Sequence, residues 1–171
     1  MPNFIDVEKL IKNGLTVGKN FNFRADCIID PSHCFLITIG DNVTFAPRVH
    51  ILAHDASTKR YLGYTKIGLV NIGSNVFIGA GAVVLPNVTI GDNCIIGTSS
   101  VVTKNIPENS IAVGNPAQVI SSYDEYMEKN KLLLDKRPKY DSKWTVNNKE
   151  FNYEMKAKMK KDLESGIGFV E

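Results

Sequence analysis

The chain has 171 residues, with 20 Lys and Arg against 18 Asp and Glu and a formal net charge of +2. That length is enough for one compact core, and so small a charge excludes the basic footprint of a nucleic-acid binder. No apolar run reaches membrane-spanning length, and the opening stretch MPNFIDVEKLIKNG lacks the basic start and apolar core of a signal peptide, so the chain is expected in the cytoplasm.

The first expected element is an amphipathic helix over Ile5–Lys12, stopped by Gly14. A six-residue beat begins after it. Val17, Phe23, Ile29 and Phe35 share one phase; Ile39, Phe45 and Ile51 share a second, with Gly18 and Gly40 in the following position. Ile51 and Ile72 are 21 residues apart, which reads as one coil plus three residues and therefore as an insertion. The polar, aromatic run Ala56–Gly68 (ASTKRYLGYTKIG) is its expected place, and loops that leave a solenoid carry function because the coils only pack.

From Ile72 the beat is unbroken: Ile72, Ile78, Val84, Ile90, Ile96 and Val102, with Gly73, Gly79, Gly91 and Gly97 after four of them. Two residues before each later beat stands a small or apolar side chain: Val76, Ala82, Val88, Cys94 and Ser100. A helix needs a period near 3.6 and a plain strand a period of 2. A period of six is the mark of a parallel β-helix, with three repeats to a coil and the beat residue pointing inward. The glycine fits a turn where a side chain would be crowded. The solenoid is expected from Gly14 to Ile120 in about six coils.

At about Ser121 the character changes. Tyr123–Lys136 has helical spacing, with Tyr126, Leu133 and Leu134 as its packed side, and Arg137-Pro138 ends it. A second helix is expected over Asn148–Ser165, the pair capping the last coil. The domain reading is therefore 1–120 for the β-helix with its N-terminal helix and 121–171 for a helical extension.

Three histidines lie within His33–His54. His33 stands two residues before Phe35 and reads as inward-facing and packed. His50 precedes Ile51 and points outward. His54 falls three residues past Ile51, where the inserted loop departs, and is the candidate general base, because imidazole titrates near neutral pH. Cys27 and Cys94 each stand two residues before a beat and read as core packing; Cys34 is off phase. The odd count without a CxxC pair gives no cysteine the look of a nucleophile.

The run Val70–Val119 (VNIGSNVFIGAGAVVLPNVTIGDNCIIGTSSVVTKNIPENSIAVGNPAQV) resembles the hexapeptide-repeat acyltransferases. More narrowly, it resembles the sugar O-acetyltransferases related to the galactoside and maltose enzymes and to those that decorate capsules and O-antigens. The IG pairs, the segment Ser100–Lys104 and the closing Gly114-Asn115-Pro116-Ala117 carry the resemblance, which covers Val17 to Ile120. It implies an all-β solenoid with a left-handed coil, against the usual right-handed crossover. It also implies acetyl-CoA as acyl donor, no required metal, and a homotrimer with sites at subunit junctions. His54 would take a proton from a hydroxyl of a sugar or polysaccharide precursor, which attacks the thioester directly. Ala80, Gly81, Gly97 and Thr98 would let the pantetheine arm lie along a wall, and Thr103 and Lys104 would meet the pyrophosphate end. Relatives often carry a basic residue after the GNPA-like segment; this chain has Gln118. Asp26 would hold a sugar hydroxyl, with Asp30 and Arg24 as alternates, the competing reading being that these are solvated turn residues on an outer wall; Asp55 could orient His54. Three alternatives stay open: N-acetyl transfer to a nucleotide sugar, a non-catalytic scaffold trimer, and zinc chemistry of the kind found in β-helix carbonic anhydrases. A catalytic zinc needs three protein ligands, and the chain has three histidines.

Overall fold

The computed structural model describes residues 5–171. The chain divides into two compact units, one ending at Asp124 and the other Glu125–Glu171. The first opens with helix α1 (Val7–Lys12), whose N-cap Asp6 accepts a hydrogen bond from the Lys9 N–H, satisfying a donor the first turn leaves free. Gly14 follows at φ +104°, and Leu10 and Leu15 are buried.

Strands then follow in short steps: β1 (Thr16–Val17), β2 (Asn22–Phe23), β3 (Ile28–Ile29), β4 (Ile37–Ile39), β5 (Thr44–Phe45) and β6 (His50–Ile51). A hairpin of β7 (His54–Asp55) and β8 (Lys66–Ile67) encloses the short helix α2 (Lys59–Leu62). The strands resume as β9 (Val70–Ile72), β10 (Phe77–Ile78), β11 (Val83–Val84), β12 (Val88–Ile90), β13 (Ile95–Ile96), β14 (Val101–Val102) and β15 (Ser110–Val113). Hydrogen bonding gathers β1-β4-β9-β12 into a first wall, β2-β5-β10-β13-β15 into a second and β3-β6-β11-β14 into a third. Every pairing within these sets is parallel. The chain therefore visits the three walls in rotation. The beat residues Ile39, Phe45, Ile51, Ile72, Ile78, Val84, Ile90, Ile96 and Val102 are at most 2% exposed and form the core.

Stacked coils come too close for side chains at one corner. A Cβ added to Gly40 would lie 2.7 Å from the Gly73 carbonyl carbon, and one on Gly73 would lie 2.8 Å from the Asp92 nitrogen. The same turns, between the first and second walls, carry Asn20, Asn42, Asn75, Asn93 and Asn109, all at φ between 53° and 58°. Asparagine tolerates this left-handed conformation better than other side chains. Their amides form a ladder, each Nδ2 donating to the next Oδ1 at 2.9 to 3.1 Å. Asn75→Ala removes two of these bonds and puts Ala at a left-handed position, so it should destabilise the unit by about 2–4 kcal/mol. Asn75→Gly should recover the backbone part alone. Thermal unfolding of the two variants checks this.

The register between coils is uneven. Ile72 lies beside Ile90, 18 residues on. Phe23 lies beside Phe45, 22 on, Ile51 beside Val84, 33 on, and Ile96 beside Ala112, 16 on. All of this variation falls at one corner, where the chain passes from the third wall to the first: four extra residues after Ile29, fifteen after Ile51 and two fewer after Val102. The steps at the other two corners never vary.

Several expectations are corrected by this register. The insertions absorb about a coil's length, so the described residues form four full coils and a partial fifth instead of six. The hairpin insertion is fifteen residues on a single hexad step, not three beyond a whole coil. Phe35 is not a beat residue: it is 58% exposed, because a 3-10 turn (Cys34–Leu36) delays re-entry to Ile37. Cys34 is buried instead, its Sγ within 3.6 Å of the Leu10 carbonyl. Cys27 and Cys94 are buried as expected, and burial raises the Cys94 thiol above its ordinary pKa.

The partial coil ends on an antiparallel strand, β16 (Gln118–Ser122), paired with β15. It covers one edge of the second wall with a strand where helices had been expected. The remaining elements are α3 (Tyr123–Lys136), β17 (Lys139–Tyr140), α4 (Tyr153–Leu163) and β18 (Phe169–Val170). Helix α3 buries no side chain: Tyr126, Leu133 and Leu134 are each 36 to 39% exposed. The second unit has its own small apolar cluster, with Trp144 4.9 Å from Tyr140 and 6.5 Å from Phe151 between ring centres. The Tyr140 hydroxyl donates to Asp162, which also pairs with Lys158 at 2.7 Å.

Candidate active site

The corner that varies in length is where the titratable groups collect. Asp30 follows the inward Ile29 of β3, and its backbone N–H still donates to the Ile51 carbonyl, 2.9 Å away. The Pro31–Leu36 insertion turns on it: Oδ1 accepts from the N–H groups of Ser32 (3.0 Å) and His33 (3.1 Å), an Asx turn. One coil on, the Ala53 N–H donates to Oδ2 at 3.1 Å, and His54 Nδ1 donates to the same oxygen through a short bond. Four donors occupy the four acceptor positions of a carboxylate.

Asp30 is 1% exposed, whereas 35% of the His54 side chain is accessible. Burial by itself would raise the Asp30 carboxyl. The His54 bond, the Ala53 and His33 N–H groups and the nearby imidazole outweigh it and hold the group below the usual carboxylate range. A buried carboxylate that takes the Nδ1–H fixes His54 in one tautomer and leaves Nε2 bare as a proton acceptor.

Asp30, expected as an alternate sugar contact or else as a solvated turn residue, is instead buried beneath the imidazole. Asp55 does not orient His54. It caps the following turn by accepting from the Ser57 N–H at 2.8 Å and pairs with Lys66 at 2.5 Å, which ties β7 to β8; Lys66 first, and then Ser57, hold its carboxyl well below the usual range. His33 is not packed inside the coil either. Its side chain is 28% exposed and its ring centre is 5.0 Å from that of His54. His50 projects outward from β6 between Ile28 and Val83, away from this cluster.

Asp30, His33 and His54 form the group among the described residues whose ligand atoms, all within 4.8 Å of one another, could hold a metal ion. The carboxylate is already saturated by four N–H donors, so a cation would have to displace one of them. The three residues do not match a three-histidine zinc cage.

The remaining candidates fall at two corners. Ala80 and Gly81 stack beneath Gly97 and Thr98 where the second wall meets the third, with the Ser99 N–H donating to the Ala80 carbonyl at 2.8 Å. Thr103 and Lys104 lie on the His54 corner, two coils beyond it through the register Ile51–Val84–Val102. Thr103 lines a cavity of about 390 Å³ with Asp55, Lys66, Ile67, Leu85, Pro86 and Asn87. Asp26 and Arg24 together line another of about 420 Å³, with Phe23, Ala25 and Pro47. One chain thus holds the donor candidates on both margins of the third wall.

Residues 70–104 match the family model described as bacterial transferase hexapeptide (six repeats). The chain is 40% identical over 134 residues to Protein CapG of Staphylococcus aureus, covering 75% of this chain and 78% of that protein. Among solved structures it is similar to a maltose O-acetyltransferase from Clostridium difficile 630, 36% identical with a TM-score of 0.55, covering 66% of this chain and 72% of that one. It is also similar to a galactoside acetyltransferase in complex with coenzyme A, 33% identical with a TM-score of 0.54 over 70% of each chain. Of several other relatives it spans between 50% and 66% of the length. The chain belongs to the hexapeptide-repeat acetyltransferases, whose chemistry is acyl transfer from acetyl-CoA.

Proposed function

We propose that this protein transfers the acetyl group of acetyl-CoA to a hydroxyl of a sugar or polysaccharide precursor, with His54 as general base and Asp30 as the residue that positions it. The observation that carries this reading is the buried Asp30 carboxylate bonded to Nδ1 of a half-exposed His54. His54 Nε2 accepts the proton of the acceptor hydroxyl as its oxygen attacks the thioester carbon. When the tetrahedral intermediate collapses, the C–S bond breaks and the proton passes from the imidazolium to the departing thiolate. Asp30 stabilises that imidazolium while it exists. The sugar as acceptor is supported by what the galactoside and maltose relatives are named for.

The same reading gives the coil the family's left hand and makes the active species a cytoplasmic homotrimer. The walls differ in a way that supports assembly. The first presents Thr16, Thr38, Asn71 and Thr89 outward, whereas the third presents Ile28, His50, Val83 and Val101. Apolar side chains on a flat wall favour burial against a neighbour. Light scattering during size exclusion at micromolar concentration should give three times the monomer mass of 18.9 kDa; a monomer would remove the wall that completes the site. The function itself is tested by following thiol release from acetyl-CoA against a panel of methyl glycosides. No release with any glycoside, alongside release with an amino sugar, would turn the reading to N-acetyl transfer.

Lys104 lies only two strand spacings from His54, roughly 10 Å. It is still too far to sense the reacting carbonyl. A cation there acts equally on ground and transition states. Lys104→Ala should raise the KM for acetyl-CoA with kcat nearly unchanged, and salt should shrink the difference. Steady-state kinetics at two ionic strengths checks this.

A further inference from the structure

The Asp30–His54 pair leaves one neighbouring group unexplained. His33 Nδ1 is sealed from solvent and has no hydrogen-bond partner, although it lies 3.8 Å from Asp30 Oδ1. The two groups facing this ring are the Asp30 carboxylate and the His54 imidazole; Phe35 lies farther off, 6.1 Å between ring centres. A bare nitrogen lone pair held against a carboxylate is repelled, whereas an N–H there is attracted. The carboxylate therefore selects the Nδ1–H form of His33, as it does for His54. Oδ1 is already taken by the Ser32 and His33 backbone N–H groups, so the attraction orients the ring without closing a hydrogen bond.

The consequence lies on the other edge of the ring. With the proton on Nδ1, Nε2 is an acceptor, and since Nδ1 is sealed, the accessible 28% of the side chain lies away from Asp30. Two imidazoles whose centres are 5.0 Å apart then each offer a bare acceptor nitrogen. A sugar offers the complement, two hydroxyls on neighbouring carbons. Resting on the function proposed above, we propose that His33 is a specificity-determining residue that accepts a hydrogen bond from the acceptor hydroxyl next to the one that His54 deprotonates. The acceptor class is accordingly a saccharide with a free vicinal diol, not an isolated hydroxyl or an amine.

The test pairs two variants with deoxy analogues. His33→Phe keeps a planar ring without an acceptor; His33→Gln restores an acceptor oxygen. For the best methyl hexoside of the panel, H33F should raise the acceptor KM about three- to tenfold, the size of one hydrogen bond, and H33Q should recover part of it. Among the monodeoxy analogues of that hexoside, one should cost the wild-type protein as much as H33F does, and H33F should be indifferent to that same deletion. Thermal unfolding of both variants confirms that they are folded. Equal losses in wild type and H33F for every deoxy analogue would overturn the proposal. So would a loss confined to kcat with a displaced pH profile, because His33 would then act through Asp30. A wild-type protein inert towards all glycosides would sink the proposed function itself, a distinguishable outcome.

Discussion

Replacing His54 by alanine is expected to lower kcat for acetyl transfer by about 10²–10⁴-fold, the usual contribution of a positioned general base, while acetyl-CoA still binds. The geometry gives the reason. His54 reaches solvent and its Nδ1 is hydrogen-bonded to a buried carboxylate, so access to a substrate proton is joined to a carboxylate bond that steadies the imidazolium; His33 lacks that bond. His50→Ala should leave kcat within a few-fold of wild type, since β6 turns that side chain onto the wall. Single-turnover rates with radiolabelled acetyl-CoA, beside equilibrium binding of the unlabelled compound, separate the chemical step from binding. A His54→Ala protein with near-normal kcat would refute the assignment.

Asp30→Asn should cost nearly as much in activity and more in stability. An amide in that place turns its NH2 towards groups that are already donors: the N–H of Ser32, His33 or Ala53, or His54 Nδ1–H. Either the imidazole changes tautomer and loses its basic Nε2, or a buried donor goes unpaired. A buried donor left without its acceptor destabilises by about 1–3 kcal/mol. The double variant with His54→Ala should be no less active than His54→Ala alone, because the two residues act as one unit. The sign of the pH effect follows from the depressed Asp30 pKa. A carboxyl held lower in the folded state than in the unfolded chain stabilises above its unfolded pKa, near 3.9. That contribution is lost as pH falls through the folded value. Urea unfolding from neutral pH into acid should show wild type losing stability on that limb and Asp30→Asn losing less.

The walls were readable from the beat because each inward position repeats a demand that only apolar side chains meet. That is why the positions from Ile72 to Val102 needed no correction. His54 was readable as well, since a histidine at the departure of a loop is visible in one dimension. Asp30 was not, because its role depends on which residue of the next coil lies beside it, and a four-residue insertion hides that register. Taking Phe35 as a beat leaves the next coil out of step; taking Ile39 instead stacks Ile29 on Ile51 and brings Asp30 under Ala53 and His54. The signal was the Asp30-Pro31-Ser32 run, a turn former in the place where glycine ends other strands. The asparagine ladder left its own mark, an Asn two residues after Gly18, Gly40, Gly73 and Gly91. A reading centred on apolar periodicity passes over it.

One corner of the coil is locked by stacked amides and close backbone contact, and another takes four residues more, fifteen more or two fewer without disturbing the walls. The groups of the proposed site, Asp30, His33, His54 and the β7–β8 hairpin, all stand on the tolerant corner. The register of the coil and the groups of the proposed site are therefore carried by different corners. A segment such as Asp55–Lys66 could be exchanged for one of another length, and the coil beneath would keep its register. Its neighbours need only find the same two strand ends. On this account acceptor preference can be transplanted between proteins of this kind as a loop graft. The same graft at the asparagine corner would unstack the coil.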